Sequence, residues 1–330
     1  MPELPSYVLI TPARNEARFI ELTLKSVVAQ TVPPLRWVIV SDGSTDGTDE
    51  IVERYTARYA WIELVRMPLR KERHFAGKVH AFNAGYARVT GLHFDIVANL
   101  DADVSFDEDY LEFLMRKFAE NPALGVGGTP FREGSVESSV YDYRFTSPEH
   151  VSGQCQLFRR QCFEDIGGYI PRKIGGVDLV AVTSARMKGW QTRSFLDKMY
   201  VHHRQMSTAN RSGLKVPLYV GRADYVLGSH PIWEFFRCIY QSTKRPFLLN
   251  GGLRLAGFVW GVISEDIQVP AEFVRFRRQE QMGRLWKFII GRRGPAAWSR
   301  SRLPDSEDGH GGERTDVACR TFRHDSARNS

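Results

Sequence analysis

The chain holds little from which a disulfide scaffold, a metal cluster or a membrane span could be made. Its four cysteines (Cys155, Cys162, Cys238 and Cys319) fall at no spacing typical of metal ligands or a disulfide framework. That points to a reducing compartment, and the chain is expected to be cytoplasmic. No clean apolar run of roughly 18 residues occurs, which argues against a spanning helix. The N-terminus has no basic stretch leading into an apolar one. It runs almost directly into Tyr7-Val8-Leu9-Ile10, so no signal peptide is expected. No internal repeat is present. With 42% hydrophobic, 12% aromatic and 25% charged residues, the composition excludes disordered, collagen-like and polytopic membrane classes. Its 330 residues suffice for one large domain or two smaller ones. Lys and Arg number 45 against 38 Asp and Glu, a formal charge of +7.

What is present begins as an alternation of short apolar runs and amphipathic stretches. Strands are expected at Tyr7–Thr11, Arg36–Ser41, Trp61–Met67 and Asp95–Leu100. Helices are expected at Glu16–Gln30, Thr48–Tyr59 and Lys78–Arg88, the first placing Ile20, Leu24, Val27 and Val28 on one face. This order predicts an α/β fold with a mainly parallel sheet and helices on both faces. Ligands then bind beyond the carboxyl ends of the strands.

The texture changes after about residue 205. Tyr219–Ile263 is aromatic and apolar, interrupted by Asp224, Glu234, Lys244, Arg245 and Arg254. Residues 271–293 carry seven Lys and Arg against two Glu, with Phe273, Phe276, Leu285, Trp286, Phe288, Ile289 and Ile290 between them. A basic, aromatic helix of this kind suits an anionic membrane surface; a solvated helix packed on the catalytic part is the alternative. Residues 294–330 lack periodicity and are expected to be a disordered tail.

Four segments at strand ends carry chemistry. Asp101-Ala102-Asp103 follows Ile96-Val97-Ala98-Asn99-Leu100. In extended chain two carboxylates two residues apart point the same way and can share one divalent cation, leaving room for phosphate oxygens. A loop cap would use the same residues. Asp42-Gly43-Ser44-Thr45-Asp46-Gly47-Thr48 could admit a ligand close to the backbone, with Asp42 accepting from a base or ribose; Asp46 or Thr48 could equally cap the next helix. Thr11-Pro12-Ala13-Arg14-Asn15-Glu16 ends the first strand. Phe75-Ala76-Gly77-Lys78 opens a helix with a lysine suited to a pyrophosphate.

In this order the segments resemble the nucleotide-binding half of the inverting family 2 glycosyltransferases of GT-A (Rossmann-like) fold. The resemblance covers about residues 6–205. It implies nucleotide-sugar donor contacts at Pro12, Ala13, Glu16, Asp42, Lys78 and Asp101, and Mg²⁺ or Mn²⁺ held by Asp103 and Asp101. Val151-Ser152-Gly153-Gln154 and Leu157-Phe158-Arg159-Arg160 then resemble the loop lining the acceptor site, with Gly153 and Gln154 on the acceptor side. Gly175-Gly176-Val177-Asp178-Leu179 stands where the family has an acidic pair. Only the second acid remains, and the resemblance makes Asp178 the catalytic base. Tyr200-Val201-His202-His203-Arg204 follows an expected strand, and the resemblance implies a histidine reaching the metal or pyrophosphate. Adjacent histidines project to opposite sides of extended chain, so at most one is the ligand, His202 being favoured. Arg204 could pair with a phosphate.

The organisation expected is a catalytic domain at 1–210, with a nucleotide-sugar half to about 104 and an acceptor half from about 105. A helical, basic-aromatic region at 211–293 and the tail at 294–330 follow it. The expected activity is metal-dependent, inverting transfer of a sugar, UDP-sugar favoured, to an acceptor hydroxyl. The acceptor is expected to be a saccharide or lipid-linked saccharide, as in exopolysaccharide or O-antigen assembly, with the enzyme peripheral on the inner face of the plasma membrane. No Gln-x-x-Arg-Trp pattern of processive synthases occurs, so one sugar per encounter is expected. A sugar nucleotidylyltransferase is the enzymatic alternative, but residues 11–16 lack the glycine-rich loop it usually opens with. A basic nucleic-acid-binding protein is the non-enzymatic alternative. The excess charge lies at the C-terminus, aromatics do not interleave with cations in a recognisable module, and no nucleic-acid partner is expected.

Overall fold

A computed structural model describes residues 3–69, 75–133, 147–172, 174–204, 214–244 and 247–291. The chain runs through β1 (Tyr7–Ala13), α1 (Ile20–Val28), β2 (Arg36–Asp42), α2 (Thr48–Thr56), β3 (Ile62–Met67), α3 (Phe75–Val89) and β4 (Ile96–Leu100). Then come β5 (Val104–Ser105), α4 (Tyr110–Glu120), β6 (Leu124–Gly128), β7 (Phe131–Glu133), β8 (Cys155–Arg159), α5 (Arg160–Asp165), α6 (Val177–Met187), β9 (Gln191–Ser194) and β10 (Tyr200–His202). Helices α7 (Lys215–Val226), α8 (Pro231–Ser242), α9 (Leu249–Ser264) and α10 (Ala271–Gly291) follow. Residues 1–286 form one compact unit; of a second, residues 287–330, only the end of α10 is described. The segment expected to be a tail therefore lies outside the described residues.

The main sheet has the order β3-β2-β1-β4-β8-β6-β9. All neighbours pair in parallel except β8, which runs against both β4 and β6. A smaller sheet has the order β5-β10-β7, with β10 antiparallel to β5 and parallel to β7. Alternate residues of β1 feed different cores, as the pleat dictates. Leu9 joins Trp37, Ile39, Leu100, Leu114 and Phe118 on one face. Val8 and Ile10 join Val38, Val40, Phe82, Val97 and Phe158 on the other. Helices cover both faces, so the strands read as continuous apolar runs rather than alternating ones.

One helix starts later than its periodicity predicts. Residues 15–17 are not helical because their N–H groups go to the neighbouring loop. Asn15 donates to Ser44 Oγ (3.1 Å), Glu16 to Thr48 Oγ1 (2.8 Å) and Ala17 to Asp46 Oδ2 (3.0 Å). Asn15 Oδ1 in return accepts from the Thr45 N–H at 2.8 Å. The helix begins only at Ile20, leaving residues 14–16 in a loop beyond the carboxyl end of β1.

The helices after residue 214 are tied to the α/β layers. Val180 of α6 packs with Leu227, Val269, Phe273 and Val274. Arg186 reaches Glu280 at 2.7 Å, and Arg172 donates to the Gln268 carbonyl at 2.8 Å. Among α7, α8, α9 and α10 lies a buried charge network: Arg254 bonds Asp224 and Glu234, while Arg277 donates to the Leu227 carbonyl (2.6 Å) and Asp224 (3.4 Å). Several cations of the basic 271–293 segment thus point inward. Arg278 donates to the Gly228 carbonyl and Arg284 pairs with Glu149 at 3.1 Å.

Candidate active site

The residues expected on the donor side meet where β1, β2 and β4 end. Asp42 closes β2, is buried at 5% exposure, and lies 3.8 Å from Arg14. Pro12 and Ala13 close β1 beside it, in register with Val40 and Ser41. Asp46 is spent locally, on the Thr48 N–H and hydroxyl and on the Ala17 N–H. The cap of α2 is instead Gly47, in the left-handed conformation at φ 90°. Glu16, expected at the nucleoside, is buried and ion-paired with Arg204.

The two aspartates after β4 do not face one partner. Asp101–Ala102–Asp103 is a turn, not extended chain, because the Asp101 N–H donates to the Gln154 carbonyl (2.8 Å) and β4 stops there. The Asp101 carboxylate takes Lys78 Nζ at 2.5 Å. Asp103 lies 3.4 Å from His202 Nε2 and 3.3 Å from Arg204 Nε. Their acidities separate accordingly. Burial, helped by the charge of Asp103, holds the Asp101 carboxyl above the ordinary range despite Lys78. Asp103 is held below it, since the His202 hydrogen bond and the charges of His202 and Arg204 outweigh burial. Of the two histidines, His202 turns to Asp103, whereas His203 Nε2 bonds Ser105 Oγ at 2.8 Å and stacks on Phe19.

A metal fits this arrangement in part. Among the described residues no three His, Cys, Asp or Glu side chains converge as a cation site. Asp103 and His202 are the two side chains that would act as ligands, and His202 Nδ1 is buried without a partner among the described residues. Oxygens of a bound phosphate commonly complete such a shell.

The residues expected on the acceptor side gather around Asp178. Gly176, at φ 71°, is the N-cap of α6, a backbone geometry that suits glycine. Asp178 therefore stands inside the first turn, not at the cap, where the positive helix end favours a carboxylate. Gly153 lies directly against it: a Cβ added there would fall 2.9 Å from Asp178 Cβ and 3.3 Å from Asp178 Oδ2. A cleft of about 190 Å³ brings Lys78, Asp101, Gly153, Gln154 and Asp178 to one surface. Gln154 accepts from Tyr200 Oη at 3.2 Å, and its carbonyl holds Asp101, so the acceptor loop and the turn after β4 are one assembly.

Three groups at this site were not singled out from the sequence. Asn99, 2% exposed on β4, donates to the Gly153 carbonyl (2.5 Å) and Asp101 Oδ1 (3.3 Å). It lines the cleft, and its Oδ1 is buried with no partner among the described residues. A polar residue inside Ile-Val-Ala-Asn-Leu was the available signal, since buried amides need partners. His150 is close enough to Asp178, Arg186, Arg237 and Arg284 to feel their charges. Arg14, beside Asp42, had no pattern to mark it.

The model of the family described as glycosyl transferase family 2 matches residues 8–164. The chain is similar to poly-beta-1,6-N-acetyl-D-glucosamine synthase of Staphylococcus epidermidis, 26% identical over 170 residues, 46% of this chain and 39% of that protein. It is 30% identical over 190 residues to glycosyltransferase AglE of Haloferax volcanii, 53% of this chain and 60% of the relative. The match thus spans roughly two-fifths to three-fifths of these relatives' lengths. Among solved structures, mannosyltransferase PcManGT of Pyrobaculum calidifontis, in complex with GDP-Man and Mn²⁺, shares the fold at TM-score 0.53 and 17% identity, covering 88% of this chain and 90% of that one. S. aureus TarS in complex with UDP-GlcNAc does so at TM-score 0.50 and 16% identity, covering 86% and 80%. The strands and turns that build the expected donor side of the cleft thus lie within the segment that the glycosyl transferase family 2 model matches, and the chain shares its fold with solved glycosyltransferases.

Proposed function

We propose that the enzyme moves one sugar from a nucleoside diphosphate donor, UDP-sugar favoured, to a hydroxyl of a lipid-linked saccharide acceptor, with inversion at the anomeric carbon. The observation that carries this reading is the single cleft holding Asp178 opposite Lys78 and Asp101. UDP-GlcNAc in the TarS complex supports the uridine preference, with GDP-Man in PcManGT the competing donor. Free, buried Cys155, Cys162 and Cys238 fit a cytoplasmic setting.

In this reaction the acceptor hydroxyl gives its proton to the Asp178 carboxylate as its oxygen bonds to the anomeric carbon. The bond from that carbon to the diphosphate oxygen breaks on the opposite side, and the electron pair leaves with the nucleoside diphosphate. Lys78 and Arg204, now paired with Asp101 and with Glu16 and Asp103, are the cations placed to take phosphate oxygens in exchange. A divalent cation held by Asp103 and His202 would add charge neutralisation at the diphosphate. Asp42 and Glu16 remain for the nucleoside.

A thermal-shift panel of UDP, GDP, dTDP and CDP with and without Mn²⁺ tests the donor half. A ligand at about 100 times its Kd stabilises by roughly 2.7 kcal/mol. UDP with Mn²⁺ is expected to give the largest rise in Tm, and Asp103→Ala to abolish its metal-dependent part. Asp178→Asn is expected to keep that shift and lose transfer by about 10²-fold or more. Transfer at the unaltered rate by Asp178→Asn would remove the base assignment.

A further inference from the structure

Helix α9 has an exterior that water does not explain. Every solvent-exposed residue between Gly252 and Ser264 is uncharged, and all but Ser264 are apolar or glycine. Leu248, in the turn leading into the helix, is 76% exposed, Trp260 50% and Ile263 80%. Gly252, Leu255, Ala256, Val259, Trp260 and Ile263 line one shallow apolar groove along the helix. The only charged residue of α9, Arg254, is turned inward to Asp224 and Glu234. Soluble monomers rarely leave an apolar surface of this continuity uncovered.

We infer that this outer face of α9, with the turn before it, docks flat on an anionic lipid bilayer; the inference rests on the lipid-linked acceptor proposed above. The 16 residues of α9 extend about 24 Å. That is short of the hydrocarbon core, and among the described residues no helix is long and apolar enough to cross a membrane. Lying in the interface is the arrangement left to such a face. Its edges carry cations beside aromatic rings: Arg222 lies 5.6 Å over Trp260 and Lys244 4.8 Å over Tyr240. Arg222 is also paired with Glu265. Trp and Tyr with Lys or Arg at an apolar boundary suit the headgroup level, and the chain's formal charge of +7 complements anionic lipid.

The docked face is rigidly joined to the acceptor side. At the crossing of α7 and α9, a Cβ on Gly257 would fall 1.9 Å from the Leu218 carbonyl oxygen, so the two backbones touch. The same α7 holds the approach to Asp178, with Tyr219 Oη donating to the Ile174 carbonyl. Just past α7, Leu227 packs on Gly176. Docking α9 therefore fixes the catalytic base relative to the plane from which a lipid-borne hydroxyl arrives.

The test is flotation of the full chain with phosphatidylcholine vesicles, with and without phosphatidylglycerol. Sedimentation velocity without lipid and the nucleotide thermal shift accompany it. The unaltered chain is expected to float, more strongly with phosphatidylglycerol. Val259→Glu/Ile263→Glu is expected to lower partitioning at least ~tenfold while keeping the Tm and nucleotide shift. Trp260→Gln gives a milder independent variant should the double one fold poorly, and is expected to lower partitioning several-fold. Absence of flotation by the unaltered chain, or equal flotation of the folded variants, overturns the inference. So does a dimer that the variants dissociate, which would make a second copy the occupant. Failure of the nucleotide shift in the unaltered chain counts against the proposed reaction and leaves the flotation result readable.

Discussion

At the scale of single residues, the proposed base depends on a neighbour with no side chain. Gly153 is required because Asp178 fills the space its Cβ would need, and the contact involves the carboxylate as well as its Cβ. Gly153→Val should displace Asp178 and cut kcat about tenfold or more, with little change in nucleotide binding. Single-turnover transfer beside the thermal shift checks this. His150 offers a second test. Burial holds its pKa below that of an ordinary histidine; the charge of Asp178 opposes this, and Arg186, Arg284 and Arg237 reinforce it. Below about pH 6.5 the unfolded chain takes up a proton that folded His150 refuses. Its contribution to stability is therefore present above that pH and lost as pH falls toward the depressed value. His150→Gln should flatten the acid limb of a Tm-against-pH curve; an identical acid limb would refute it.

Individual residues were also where the sequence was most and least readable. Asp42, Asp101, Asp103, Lys78 and Asp178 could be picked out because they follow strands or open helices, and backbone order alone brings such positions together. Their pairing could not be read. Whether Lys78 meets Asp101 or stands free depends on the exact end of β4, which a hydrogen bond from residue 101 to residue 154 decides. Asn99 was hidden for the same reason, since its partners are a loop carbonyl 54 residues away and a neighbouring carboxylate.

At the scale of elements, the helices after α6 are held by charge as well as by apolar packing. Arg254 is the cation shared by buried Asp224 and Glu234. Arg254→Met should cost about 3–5 kcal/mol, because removing one partner leaves buried charge uncompensated. Glu234→Met/Arg254→Met should recover a good part of that loss, since Asp224 keeps Arg277 and Arg237. Urea unfolding of the three chains measures both. Periodicity located the first strands and helices within a few residues and erred most at α1, where side chains of the next loop claim the backbone donors. Among the C-terminal helices, the sequence of α9 is apolar nearly all round and reads as core, yet one face of it is exposed; in the basic α10, Arg277 turns inward while Trp286 and Phe288 stand exposed.

For the whole molecule, the α/β architecture was legible because parallel strands buried on both faces leave long apolar runs between helices. The seven-strand order was not, since nothing local in Cys155–Arg159 states its direction. The same burial governs thiol chemistry. Cys155, Cys162 and Cys238 are buried free thiols, each pushed up to about 12 by loss of solvent. The native protein should leave all three unmodified by an aromatic disulfide reagent until denaturant is added. Mass spectrometry of the treated native chain decides it.

The reversed β8 has a consequence for what the centre of the molecule can absorb. Because it pairs Leu100 with Cys155, the loop entering β8, rather than one leaving a strand, meets the end of β4. Two chain directions then meet at one seam, with Gly153 lying against Asp178 just before it. A residue inserted between Gly153 and Cys155 would carry Gly153 off Asp178 or turn the side chains of β8 to the opposite face, so the seam accepts a change of residue far more readily than a change of length.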